Sequence, residues 1–113
     1  MLVNDPSSAH WEIDPARLDL ATEFRRAPRG PHSDDLQRVL HRMRWQSPGG
    51  RHCLVAIEPG RRWMLARIPA VRDAPVETFP NMVFTDIAEA EWLVFRLRWQ
   101  ALTGHALPET LGQ

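Results

Sequence analysis

Thr85-Asp86-Ile87-Ala88-Glu89-Ala90-Glu91-Trp92-Leu93-Val94-Phe95-Arg96-Leu97-Arg98-Trp99-Gln100-Ala101-Leu102-Thr103-Gly104 is the stretch on which the fold of this chain turns. Thr85 and Asp86 offer side-chain acceptors for the first free amides of a helix, Gly104 ends it, and Pro108 blocks its continuation. Ile87, Ala90, Val94, Leu97 and Ala101 make one apolar stripe, and Trp92, Phe95, Trp99 and Leu102 make a second one around the cylinder. A helix apolar on two faces needs cover on two sides. The rest of the chain has to be read for what can supply it.

Upstream, His52 to Ile57 is a short apolar run, and in Arg62 to Ile68 the residues Trp63, Leu65 and Arg67 alternate with Met64, Ala66 and Ile68. Between them Glu58-Pro59-Gly60-Arg61 reads as a turn, because Pro59 presets the second position and Gly60 supplies a positive φ at the third. A two-stranded hairpin is marginal alone and has to pack on helices. Residues 69–83, with Pro69, Pro75 and Pro80, read mostly as connection. Further upstream, Ser33 caps a helix over 33–45. Asp34 and Asp35 fall in its first turn, Leu36, Val39, Leu40 and Met43 form the inner stripe, and Arg38, His41 and Arg42 lie opposite. Ser47-Pro48-Gly49-Gly50 ends that helix.

Residues 1–32 contain Pro6, Pro15, Pro28, Gly30 and Pro31 and read as an arm, with one short helix that Asp14 caps and Pro15 opens. Trp11, Leu18, Leu20 and Phe24 are too apolar for a solvated tail, so the arm lies along a surface, its own or a partner's. The expected fold class is α+β: helix, hairpin and helix over residues 33–104, with the hairpin across both helices. The N-terminal arm of residues 1–32 wraps a partner, and residues 105–113 form a tail.

With 113 residues the chain has room for one domain, which buries only about 60 to 70% of the surface its unfolded form exposes. Its 14 basic and 14 acidic residues cancel, removing the electrostatic case for a nucleic acid or an anionic membrane. The basic residues are all Arg, whose planar fork holds carboxylates bidentately. The lone Cys53 suits a reducing compartment, and the N-terminus lacks the basic stretch and apolar run of a signal peptide. A cytoplasmic, soluble protein is expected.

Chemistry-bearing patterns are sparse. His10, His32, His41, His52 and His105 have no helical spacing to one another that suits a metal. Cys53 beside His52 lies in an apolar run, which favours a structural thiol over a nucleophile. Gly49-Gly50 follows a helix, not a strand, so no phosphate-binding loop is expected. No catalytic, cofactor-binding or metal-binding residue is assigned. The five tryptophans are the surplus. Trp63 and Trp92 read as core, Trp45 and Trp99 lean toward a partner surface, and Trp11 stays open. The candidate partner interface is Trp45, Trp92, Phe95, Arg96 and Trp99.

Leu36-Gln37-Arg38-Val39, the end of the first helix, and the hairpin entered at Arg51 and left at Trp63 resemble the small subunit of bacterial N,N-dimethylformamidase. So do Phe84-Thr85, Glu89-Ala90 and Val94-Phe95. The resemblance spans roughly residues 32–102. It implies a hetero-oligomeric amidohydrolase that converts dimethylformamide and water to dimethylamine and formate. In that enzyme a large catalytic subunit carries a non-haem iron held by two Tyr and one Glu. This chain has no Tyr and cannot supply such ligands. On this reading it is a non-catalytic small subunit that stabilises the large one. The rival reading is a free-standing protein-interaction or regulatory module, one form of it a homodimer that pairs its last helices through Trp92, Phe95 and Trp99.

Overall fold

The computed structural model describes residues 11–44 and 50–113. Its elements are α1 (Leu18–Arg26), α2 (Asp34–Arg44), β1 (Arg51–Glu58), β2 (Arg62–Ile68), β3 (Glu77–Phe84) and α3 (Ile87–Thr103). Helices and an antiparallel three-stranded sheet in the order β1-β2-β3 make this an α+β chain, as expected.

The strongest sequence signals become elements as read. Asp86 accepts a hydrogen bond from the Ala88 amide (3.0 Å) at the start of α3, and Gly104 takes a left-handed φ of 74° at its end. Ser33 Oγ accepts from the Leu36 amide (3.2 Å) and opens α2, while Glu23 of α1 holds Ser33 through both its amide and its hydroxyl. In the hairpin the Arg61 amide donates to the Glu58 carbonyl (2.9 Å), and Gly60 has φ 74° at the third turn position.

Three expectations change. Residues 69–83 are not mostly connection, since residues 77–84 form the third strand. Pro80 is tolerated because the β2–β3 register jumps there, from Met64 opposite Val83 to Leu65 opposite Phe79. A proline needs no ladder partner at an irregularity in an edge strand.

The second change concerns the described part of the arm, which is an element of the chain's own core. Ile13, Leu20, Ala21 and Phe24 belong to the main buried cluster, together with Leu36, Val39 and Met43 of α2 and Trp92, Phe95 and Trp99 of α3. Asp14 caps a turn instead of the helix: its side chain accepts from the Ala16 amide (2.9 Å), and α1 begins three residues after Pro15 with no side-chain cap. The tail is anchored to the core as well. Leu107 is buried in the same cluster, and the Glu109 carbonyl accepts from Trp92 Nε1 (3.0 Å) and from Arg25.

Third, the sheet packs mainly on α3, and α2 packs on α1 and α3. The two apolar stripes of α3 therefore have separate covers. Trp92, Phe95 and Trp99 face the α1–α2 layer, while Ala90 and Val94 are buried outside that cluster, as are Leu65 and Ala66 of β2. The cover that sequence reasoning sought in a partner comes from α1 and the tail. His41 also turns inward and is buried, leaving Arg38 exposed on the outer side of α2 and Arg42 half-buried beside it.

Candidate partner surfaces

Of the residues expected at an interface, Trp92, Phe95 and Trp99 are 3%, 2% and 0% exposed within this single chain. They stack in sequence along the inner face of α3, with ring centroids 5.9 Å apart for Trp92–Phe95 and 5.8 Å for Phe95–Trp99, and Phe24 lies 4.4 Å from Phe95. Arg96 is partly buried over the Trp92 ring (5.8 Å) and 3.7 Å from Glu109, with Arg25 on the same ring at 5.1 Å. These four residues knit the core to the tail. A homodimer paired through Trp92, Phe95 and Trp99 has no free face to use. Trp45 lies outside the described residues.

The remaining apolar surface gathers elsewhere. Val55, Met64 and Val83 sit opposite one another in adjacent strands and so share one face of the sheet near the hairpin. Val55 and Val83 are 38% and 40% exposed, and Ile57 and Met82 beside them are also exposed. Glu58 with Arg61 and Arg62 closes the hairpin end with ion pairs of 3.9 and 2.7 Å. An apolar row with a charged border is the anatomy of a protein contact.

A second feature lies where α2, α3 and β1 meet. A crevice of about 190 Å³ is walled by Phe24, Leu40, Met43, Leu54, Val94 and Phe95, with Glu91 and Arg98 as its charged groups. Arg98 donates its Nε to the His52 carbonyl (2.8 Å) and so occupies part of the edge of β1. Burial pushes the Arg98 guanidinium down to about 10, and the charges of Arg51 and Arg44 push the same way. Sequence reasoning missed this junction because Arg44, Arg51 and Arg98 belong to three separate elements. Arg38 stacks on Trp11 (5.5 Å). The available signal was the position of Arg98 between the two apolar stripes of α3, where a charge has to lie against a packed boundary.

Reactive groups do not converge. Cys53 and His52, consecutive on β1, point to opposite faces of the sheet, and Cys53 is half-buried and free. Burial holds the His52 imidazole below its ordinary value, the charges of Arg67 and Arg98 add to that, and Glu77 opposes them. Among the described residues no three His, Cys, Asp or Glu side chains come together as a metal site. An iron site of two Tyr and one Glu does not fit a chain without Tyr. No helix among the described residues is long and apolar enough to cross a membrane.

These features define a small α+β chain with a closed helical core, an exposed apolar sheet row and one charged crevice. Residues 12–109 match the family model described as N,N-dimethylformamidase alpha subunit, and the chain belongs to that family. The match reaches further than the resemblance over residues 32–102 and takes in α1 and the start of the tail, the segments that complete the core. No curated protein and no solved structure matches the chain. The family is named for one subunit of a hydrolase, which implies a further chain in the assembly.

Proposed function

We propose that this chain is the non-catalytic small subunit of a cytoplasmic, hetero-oligomeric N,N-dimethylformamidase-like amidohydrolase, and that it stabilises a large subunit carrying the iron and the hydrolytic chemistry. The observation that carries the reading is the family match over residues 12–109. A closed core with an apolar row left exposed on its sheet supports it, because such a row is surface that a partner subunit can cover. Binding only the native large subunit raises that subunit's stability by mass action, about 2.7 kcal/mol when the small chain is at 100 times its dissociation constant.

The test is to separate the two chains and assay each. The large chain is expected to retain iron, the small chain to carry none and to release no dimethylamine from dimethylformamide, and the recombined pair to unfold at a higher temperature than the large chain alone. Stoichiometric iron on the small chain, or hydrolysis by it alone, would overturn the assignment.

A further inference from the structure

Three guanidinium groups converge where the end of α2, the start of β1 and the middle of α3 meet. Arg51 donates to the Arg44 carbonyl and Arg98 to the His52 carbonyl. No carboxylate pairs with Arg44, Arg51 or Arg98 among the described residues. Arg51 Nε is buried with no hydrogen-bond partner. Elsewhere among the described residues Arg17, Arg62 and Arg67 find carboxylates at 3.0, 2.7 and 3.1 Å, while Arg26, Arg38, Arg42 and Arg72 also lack one but do not gather at a single junction of three elements.

Three like charges held together at a partly buried site are unfavourable unless something negative arrives. Desolvation depresses the Arg98 guanidinium, and its two positive neighbours depress it further. Glu91, the acid that lines the neighbouring crevice, lies 3.6 Å from Arg29. The crevice, about 190 Å³, is smaller than the roughly 300 Å³ at which small-molecule pockets begin. It suits a single apolar side chain. The junction thus offers an apolar socket beside an unneutralised, fork-shaped cation, the complement of an anchor residue followed by an acid.

We infer that this junction is where the large subunit docks, with one of its apolar side chains entering the crevice between Leu40, Met43, Leu54 and Val94 and an Asp or Glu of the same segment lying against Arg98, Arg51 and Arg44. The inference rests on the subunit reading above and adds the place and chemistry of the contact. A second copy of this chain is disfavoured as the occupant, because it would bring the same positive junction.

The experiment uses the full-length chain, wild type and with Arg98→Met or Leu40→Trp, measured for affinity to the large subunit and for urea unfolding alone. Truncating one side of a desolvated charge pair is expected to weaken association about 30-fold or more. Arg98→Met is also expected to leave the isolated chain as stable as wild type or more so, because it removes a desolvated charge from beside Arg51 and Arg44. Leu40→Trp fills the socket and is expected to weaken association by blocking it. Affinities for both variants within about threefold of wild type would overturn the junction alone, since that difference is below 1 kcal/mol. An Arg98→Met chain that is destabilised yet binds normally would reduce Arg98 to a clamp on His52 and overturn it too. Self-association of the wild-type chain that Arg98→Met abolishes would assign the socket to a second copy. If wild type itself does not bind the large subunit, the subunit reading falls together with the junction.

Discussion

Trp99→Ala separates the two roles that sequence and structure give this residue. The side chain is fully enclosed, and its ring lies tilted against Phe95 with centroids 5.8 Å apart. Truncating an enclosed Trp costs about 3 to 5 kcal/mol through lost transfer energy and the cavity left behind. A domain of this size holds only about 5 to 15 kcal/mol in total. With a urea m-value of about 1.5 to 2 kcal/mol/M, a 4 kcal/mol loss lowers the midpoint by about 2 to 3 M. Trp99→Phe is the paired control. Trp99 Nε1 is buried with no hydrogen-bond partner, so removing it relieves an orphan donor worth about 1 to 3 kcal/mol while losing part of the ring's volume. The two terms oppose, and Trp99→Phe is expected within about 1 kcal/mol of wild type. The assay is urea unfolding of the isolated chain followed by far-ultraviolet circular dichroism. An Ala variant that unfolds at the wild-type midpoint and loses only association would refute the placement of Trp99 in the core.

Further expectations follow from single positions. Gly50 has φ +86°, and a Cβ there would stand 2.6 Å from the Ile68 carbonyl oxygen, so Gly50→Ala is expected to destabilise by at least about 2 kcal/mol in the same urea assay. Asp86→Ala removes the acceptor for the Ala88 amide and is expected to cost about 1 kcal/mol, with Asp86→Asn restoring most of it. His52 titrates below its ordinary 6.5 in the folded chain, so the unfolded chain takes up that proton first as the pH drops. The stability contributed by neutral His52 is therefore complete above about pH 6.5 and is lost as pH falls through and below that value. An NMR midpoint for the His52 ring at or above 6.5 would contradict the burial that motivates this.

Long periodic segments with caps at both ends were legible in the sequence. α3 and α2 carry their start signals in Asp86 and Ser33, and the hairpin carries its own in Pro59 and Gly60, because each signal acts within four residues. What failed to show was what lies far apart along the chain. Phe24 meets Phe95, and Trp92 meets the Glu109 carbonyl, only after the chain has folded. Nothing local distinguishes an arm that covers its own helix from one that covers a partner. The second apolar stripe of α3 does need cover, and α1 with Leu107 of the tail supplies it. β3 was hidden because Pro80 argues against a strand unless a register shift is known. The Arg44, Arg51 and Arg98 junction was invisible for the same reason as the core: its members come from three elements.

The central claim is that this chain acts as one subunit of a dimethylformamidase, and co-expression with the candidate large subunit, followed by size exclusion and an assay for dimethylamine release, tests it most directly. The account predicts a single co-eluting species that hydrolyses dimethylformamide. A small chain that elutes alone and folded, beside a large chain fully active and equally stable without it, would contradict the claim.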